Sequence, residues 1–320
     1  EGFEVYYCRR LWAADVSPSL FLRLWSMIRW ADLVHLTAVY SPPTIPTLLL
    51  CKLLGKPVVW SPRGGLQRWK GATRRLEKKI WEGVCNALCV SHQTMLHVTS
   101  EEELKDSCSR ITRAKAVVIS NGVDIPGNFA ARERQPDGKL HLLFLGRLHP
   151  IKGIPNLLYA MQDLDDKVTL TICGTGDSDH RRSLELLVAQ LDLADSVQFL
   201  GQVSGEAKSA CFQEADVCVV PSFSENFGMV VAEALAHGVP VIASKGTPWR
   251  RLEEVGCGLW VENDPKSLAM AIKRISGMPL KEMGQRGREW MIQEFDWDQC
   301  AKEMTKCYER VVGGKTENAM

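Results

Sequence analysis

No stretch of about eighteen consecutive apolar residues occurs in this 320-residue chain, so no segment spans a bilayer by itself as a helix. A surplus of charge is missing too. With 39 basic against 38 acidic residues there is no global field for a nucleic acid backbone, and any phosphate recognition must be local. The eleven cysteines include no C-x-x-C pair and no zinc spacing, and Cys173, Cys211 and Cys218 sit inside apolar patterns. That usage argues against a disulfide framework and suits a reducing, cytoplasmic setting. G-x-S-x-G, H-E-x-x-H, a Walker A loop and catalytic Cys/His spacings are all absent, which removes the motif-borne nucleophile, metalloprotease and P-loop chemistries. Low-complexity sequence is confined to a short polar tail after Gly313.

What is present is 45% hydrophobic and 24% charged residues over a length greater than one core usually fills, which predicts two domains. In the first half, residues 3–7 read as strand, 18–30 as helix, 31–36 as strand, an apolar helix is closed by Gly55, and 57–60 and 116–120 read as further strands. The second half alternates more clearly, with strands at 140–146, 167–173, 197–200, 217–220, 239–243 and 258–261. Helices are expected at 156–164, 181–191, 208–214, 227–237, 265–275 and 297–311. Strand-helix alternation with short connections predicts an α/β fold of doubly wound parallel sheets. A polar shift between 126 and 139 reads as the interdomain linker, giving domains at 1–130 and 138–297.

Residues 69–87 interleave Lys70, Arg74, Arg75, Lys78 and Lys79 with Leu76, Ile80, Trp81 and Val84 at helical spacing. The favoured expectation is a solvated basic face over a core stripe; the sharper alternative is a surface for anionic lipid or a phosphate-bearing acceptor. Further on, Ser100 followed by Glu101-Glu-Glu103 reads as a capped helix start.

The candidate chemistry gathers after strand ends. Arg147 and Lys152, in Gly146-Arg-Leu-His-Pro-Ile-Lys-Gly153, could clamp a diphosphate together with first-turn amides near Phe227 and Gly228. Gly174 and Gly176 permit close backbone approach. Glu225 precedes a helix, and Glu233 lies within an apolar run where a carboxylate needs a partner, a role sugar hydroxyls would fill. Asp163-Leu-Asp165 and Asp177-Ser-Asp179 both fit a short metal-binding pattern. The first reads as a surface turn, and the second lies on the ligand edge and stays open.

The run Pro221-Ser-Phe-Ser-Glu-Asn-Phe-Gly228 with Glu233 and Ala234-Leu-Ala-His-Gly-Val-Pro240 resembles the Glu-x7-Glu region of family-4 retaining glycosyltransferases. Ser61-Pro-Arg-Gly64, Ser120-Asn-Gly-Val-Asp124, Gly146-Arg-Leu and Phe199-Leu-Gly-Gln-Val203 are similar to that family's landmarks in order. The resemblance implies the GT-B architecture, two facing Rossmann-like domains, with a helix at 298–312 crossing back to the first. It implies a reaction in which a sugar moves from a nucleotide diphosphate sugar such as a UDP-sugar to an acceptor hydroxyl of a glycan or lipid-linked glycan. Anomeric configuration is retained, with no metal and no further cofactor. In that reading Arg147 and Lys152 neutralise the diphosphate. Glu225, with Asn226 and the amides of Phe227 and Gly228, holds the sugar; Glu233 takes the ribose and Gln202 and Val203 meet the base.

Arg63 stands where many members have histidine, and the family's first strand, glycine-rich loop and helix would precede Glu1. Polysaccharide or cell-envelope synthesis at the cytoplasmic membrane face, without nucleic acid, completes the expectation. A nucleotide-sugar epimerase of the same architecture and a non-catalytic nucleotide-sugar-binding subunit are the alternatives. Only the enzymes convert the bound nucleotide sugar, and only the transferase needs an acceptor.

Overall fold

The computed structural model describes residues 2–9, 16–68, 74–127, 138–165 and 167–314. By internal contact it divides into two units, Glu1–Ser120 with Ala301–Met320, and Asn121–Cys300. Residues 128–137 of the expected linker lie outside the described residues.

The first unit is built on four parallel strands in sequence order, β1 (Val34–Thr37), β2 (Val58–Ser61), β3 (Thr94–Val98) and β4 (Lys115–Val118). Every residue of β2 and β3 is buried, which is why Val58-Val-Trp60 reads as an unbroken apolar run instead of an alternation. Helices α1 (Pro18–Trp30), α2 (Thr44–Leu54), α3 (Arg75–Leu88) and α4 (Glu101–Arg110) accompany the strands. α2 stops on Gly55 at φ +63°, a left-handed C-cap that a residue without Cβ adopts at little cost. At α4, the Ser100 hydroxyl accepts the Glu103 amide at 3.1 Å, satisfying one orphan donor of the first turn. Glu103 itself is fully buried and accepts from the amide and hydroxyl of Thr99 and from the amide of Gly64, so it braces the loop after β2. Cys307 and Val311 of α12 (Trp297–Val312) pack with Val59, Met95 and Ile119 of this unit.

The second unit is a six-stranded parallel sheet ordered β10-β9-β8-β5-β6-β7, from β5 (Leu140–Leu145), β6 (Val168–Cys173), β7 (Val197–Gly201), β8 (Val217–Val220), β9 (Val241–Ser244) and β10 (Gly258–Val261). The chain winds outward from β5 to β7, then returns to lay β8 against the other side of β5, with Leu142 opposite Val217. Between β5 and β8 the order reverses, and such a switch point opens a crevice at the carboxyl ends of the strands.

Around this sheet run α5 (Ile154–Gln162), α6 (Ser178–Gln190), α7 (Gly205–Glu214), α8 (Met229–Ala236), α9 (Leu252–Val255), α10 (Pro265–Ser276) and α11 (Leu280–Glu294). One core layer joins α5 and α10 to the sheet, and the other holds α8 with Trp249, Trp290 and Phe295. α8 is buried nearly all round; full burial of Val231 and Leu235 contributes roughly 1.5–3 kcal/mol each. α11 can lie on it because Gly284 and Gly287 carry no Cβ, which at Gly284 would come within 2.0 Å of the Gly238 oxygen.

Two sequence expectations change. Residues 3–7 form no strand: they join neither sheet, and Phe3 and Tyr7 are exposed. Residues 69–73 lie outside the described residues, and α3 begins at Arg75. The apolar stripe of α3 is not core. Leu76, Ile80 and Val84 are exposed, Trp81 is half-buried, and the helix buries Glu82 and Cys85 instead. Glu82 takes that place because Arg68, Arg110 and the Tyr40 hydroxyl surround it, and a buried carboxylate is tolerated when so paired.

Candidate functional site

Four loops meet at the carboxyl ends of β5, β6, β8 and β9, and glycines set how closely they approach. Gly174, at φ +142°, lies so near the loop after β5 that a Cβ would fall 1.8 Å from the Gly146 oxygen, and one on Gly176 would fall 2.0 Å from the Leu148 oxygen. Their close approach is therefore to neighbouring backbone, where the Leu148 amide donates to Thr175 at 2.9 Å. Gly153, at φ +66°, brings its loop against the end of β8. A Cβ there would stand 2.0 Å from the Pro221 oxygen, and the Phe223 amide donates to Ile151 at 2.7 Å. On the far side the Glu225 amide donates to Gly246 at 2.8 Å, so the loop between β8 and α8 is held from both flanks.

That bracing carries Lys152 to Glu225, 73 residues away in sequence. The Lys152 ammonium donates to Glu225 Oε1, which also accepts from the Ser222 hydroxyl at 2.7 Å; all three side chains are largely shielded from solvent. Arg147 is exposed just beyond β5 and joins no ion pair among the described residues. Phe227 is buried: its ring turns into the core against Trp249 and Phe295, and its carbonyl accepts from the Trp249 indole. Gly228, left-handed at φ +79°, caps α8; its carbonyl accepts the Val231 amide at 2.9 Å, which leaves the Met229 and Val230 amides as those of the first turn without an intrahelical acceptor. Asn226 is half-buried between Glu225 and Phe227. The chemistry this supports is anion binding at a helix N-terminus, with a lysine and an arginine on the opposing strand's loop.

Glu233 lies one turn into α8 and is half-buried, and its partner is Lys208 of α7 at 2.7 Å. Both line a cavity of about 750 Å³ with Asp124, Ser209, Met229 and His237, a volume ordinary for a small-molecule site. His237 donates from Nδ1 to the Glu233 carbonyl at 2.8 Å, which leaves Nε2 as acceptor in the neutral ring. Burial lowers its pKa, favouring that neutral form. Gln202 is exposed and Val203 half-buried; neither lines the cavity, although Gly205, two residues further on, does. Lys208, Ser222 and His237 are additions to the predicted set. A lysine seven residues after β7 and a histidine one turn after Glu233 were visible in the sequence, but only as ordinary helix residues.

Asp177 is an N-cap: its Oδ1 accepts the amides of Asp179 and His180 at 3.0 and 3.2 Å, so the second D-x-D pattern serves the start of α6. Asp163 and Asp165 flank the end of α5.

Arg63 belongs to the first unit, exposed on the loop after β2 at φ +50°. Beneath it runs a chain of polar groups across the sheet. His97 Nε2 donates to the Ile119 carbonyl at 3.0 Å, which makes His97 Nδ1 the acceptor of the Ser61 hydroxyl at 2.7 Å. Ser61 in turn accepts from His35 Nε2 at 2.7 Å, and His35 Nδ1 accepts from the Tyr308 hydroxyl. One carbonyl thus sets both tautomers. Burial depresses the His97 pKa, with Arg63 adding to it, and holds His35 at about 4, helped by repulsion from His97 and Arg63. Folded-state values below the ordinary 6.5 mean that the unfolded chain takes up protons first. Stability from this pair is full above about pH 6.5 and is lost as pH falls toward 4. Melting temperatures of the parent and of His35→Gln between pH 7.5 and 4.5 test this: the variant should lose less on acidification, and parallel profiles would refute the assignment.

Residues 128–290 match the sequence model of the family described as Glycosyl transferases group 1. The phosphatidyl-myo-inositol mannosyltransferase of Mycobacterium leprae is 34% identical over 217 residues, covering 64% of this chain and 56% of that one. Sucrose-phosphate synthase from Thermosynechococcus elongatus superposes with a TM-score of 0.73 at 25% identity, covering 93% of this chain and 80% of that one. The Anabaena protein HepE in complex with UDP superposes with a TM-score of 0.75 at 18% identity, over 91% and 82% of the two chains, a likeness of fold. The chain spans between about half and two-thirds of the length of the curated relatives it matches.

Proposed function

The chain belongs to the group 1 glycosyl transferases, and we propose that it moves a sugar from a nucleotide diphosphate sugar to an acceptor hydroxyl of a glycan or lipid-linked glycan, with retention and without a metal. The observation that carries this reading is the meeting of Lys152 with Glu225 at the amide-bearing start of α8, beside the cavity lined by Glu233 and Lys208. The lysine has three N–H donors and can hold the carboxylate while reaching a phosphate oxygen. With Arg147 and the amides of α8 it stabilises the negative charge that grows on the leaving diphosphate. Glu225, already oriented by Ser222, accepts from donor-sugar hydroxyls, and Glu233 accepts from the ribose once Lys208 yields or shares it. The proton of the acceptor hydroxyl passes to the donor phosphate, which needs no protein base. Two cations and a helix terminus supply the charge that a metal would otherwise provide.

The HepE complex with UDP supports a uridine nucleotide as donor, and the relative named phosphatidyl-myo-inositol mannosyltransferase supports a lipid-bearing acceptor. A cytoplasmic setting is part of this reading, supported by eleven cysteines scattered without a paired spacing. A panel of nucleotide diphosphate sugars scored by thermal shift tests the donor: one member should raise the melting temperature in a concentration-dependent way. Lys208→Ala should shift its dissociation constant several-fold while turnover at saturation changes little. A panel without any stabilising member would overturn the reading.

A further inference from the structure

Three neighbouring helices of the first unit carry apolar side chains on the side turned away from their own core. On α3, Leu76, Ile80 and Val84 stand at i, i+4 and i+8 and are 72%, 63% and 42% exposed. On α2, Leu49 and Leu53 are 42% and 68% exposed at i and i+4. α1 adds Leu22 and Trp30, both exposed, and lies beside α2, sharing Ile28, Leu48 and Cys51 in one core. The ammonium of Lys52 on α2 donates to the Ala87 carbonyl of α3 at 3.0 Å, so the two outward rows are adjacent. Exposed apolar residues scattered singly need no explanation; aligned rows on adjoining helices do.

Charge identifies the occupant. The three helices hold six basic and two acidic residues, net +4, against +1 for the entire chain, and α1 and α2 contain no acid. Of the two acids, Glu82 is buried among Arg68, Arg110 and Tyr40 and presents no charge outward. That leaves Glu77, near Arg74, as the acid on the outside of these helices. Leucine and isoleucine rows beside lysine and arginine, with a tryptophan at one end, are the composition that sinks shallowly into a headgroup layer while the cations meet anionic lipid. We propose that the outer face of α1, α2 and α3 seats this unit on an anionic bilayer surface. The surface is separate from the site around Lys152 and Glu225, and its test requires no transfer activity.

Sedimentation with vesicles decides the matter. The full chain should bind vesicles of phosphatidylglycerol and phosphatidylcholine at least tenfold better than phosphatidylcholine alone, with binding weakened by salt. Leu76→Glu with Ile80→Glu should reduce that binding tenfold or more and Lys79→Glu several-fold, while Leu186→Glu, at an exposed leucine on α6 of the other unit, changes nothing. Far-UV circular dichroism and melting temperature should be unaltered in each, since the replaced side chains are solvent-facing. Equal binding to neutral vesicles, or undiminished binding by the double variant, overturns the proposal. So does a parent that ignores vesicles yet dimerises through this face, with the double variant monomeric, because a second copy is then the occupant.

Discussion

Lys152→Ala lowers the rate of sugar transfer by about 10² to 10³, the effect expected when one preorganised donor to a developing oxyanion is removed. The loss should fall mainly on kcat, because the charge that Lys152 meets grows as the diphosphate departs, and it should persist when parent and variant are assayed in a chelator. Removing the ammonium also strips Glu225 of one of its two donors and leaves a shielded carboxylate held by Ser222 alone, at a stability cost of ~1–3 kcal/mol. Glu225→Gln keeps the shape while lowering the charge, and it should lose transfer with little change in melting temperature. The site assignment fails if either variant turns over at the parental rate.

Gly153→Ala is the second large effect, and it reaches the same chemistry through the backbone. The added methyl carbon would stand 2.0 Å from the Pro221 oxygen and 2.8 Å from the Asn263 side-chain nitrogen, at a φ of +66° that alanine seldom adopts. Overpacking and backbone strain together cost roughly 2–5 kcal/mol. For a unit of this size that corresponds to a fall in melting temperature of roughly 5–20 °C. Because Asn263 donates to the Pro221 oxygen and Asn156 to Asn263, the alanine has no empty space to enter and the two loops must part. Transfer should then fall as in Lys152→Ala, even though residue 153 offers no side chain to a ligand. A variant with parental stability and activity would show that the close approach of these loops is dispensable.

The two substitutions separate what local sequence encodes from what it does not. That Gly153 follows a loop, that Gly55 and Gly238 end helices and that Ser100 begins one are properties of single residues and their neighbours, and the glycine conformations and the Ser100 cap are where the sequence puts them. The strand-helix alternation of the second half was legible because parallel strands buried on both faces are short continuous apolar runs. α11 was not, since its two glycines look like breaks until α8 is placed against them.

The α3 stripe marks a harder limit. Helical spacing shows that Leu76, Ile80 and Val84 share a face, but an apolar face and a core face coincide only when a neighbour covers it, and here Glu82 and Cys85 point inward. Long-range partners were equally out of reach. Sequence supplied a glutamate in need of a partner at position 233, and only the packing of α7 beside α8 supplied Lys208.

From its residues alone this chain is a two-part α/β protein with acids at 225 and 233, cations at 147 and 152, and glycine-bearing loops after its strands. Those features depend on spacing and residue type within a few turns of chain, where propensity and burial act locally. The tertiary structure decided that Lys152 reaches Glu225, that Lys208 holds Glu233, that Gly174 and Gly176 serve neighbouring backbone, and that α3 turns Leu76, Ile80 and Val84 outward. Each of these is a contact between segments whose meeting is set by the strand order, and the reversal between β5 and β8 is what gathers the site.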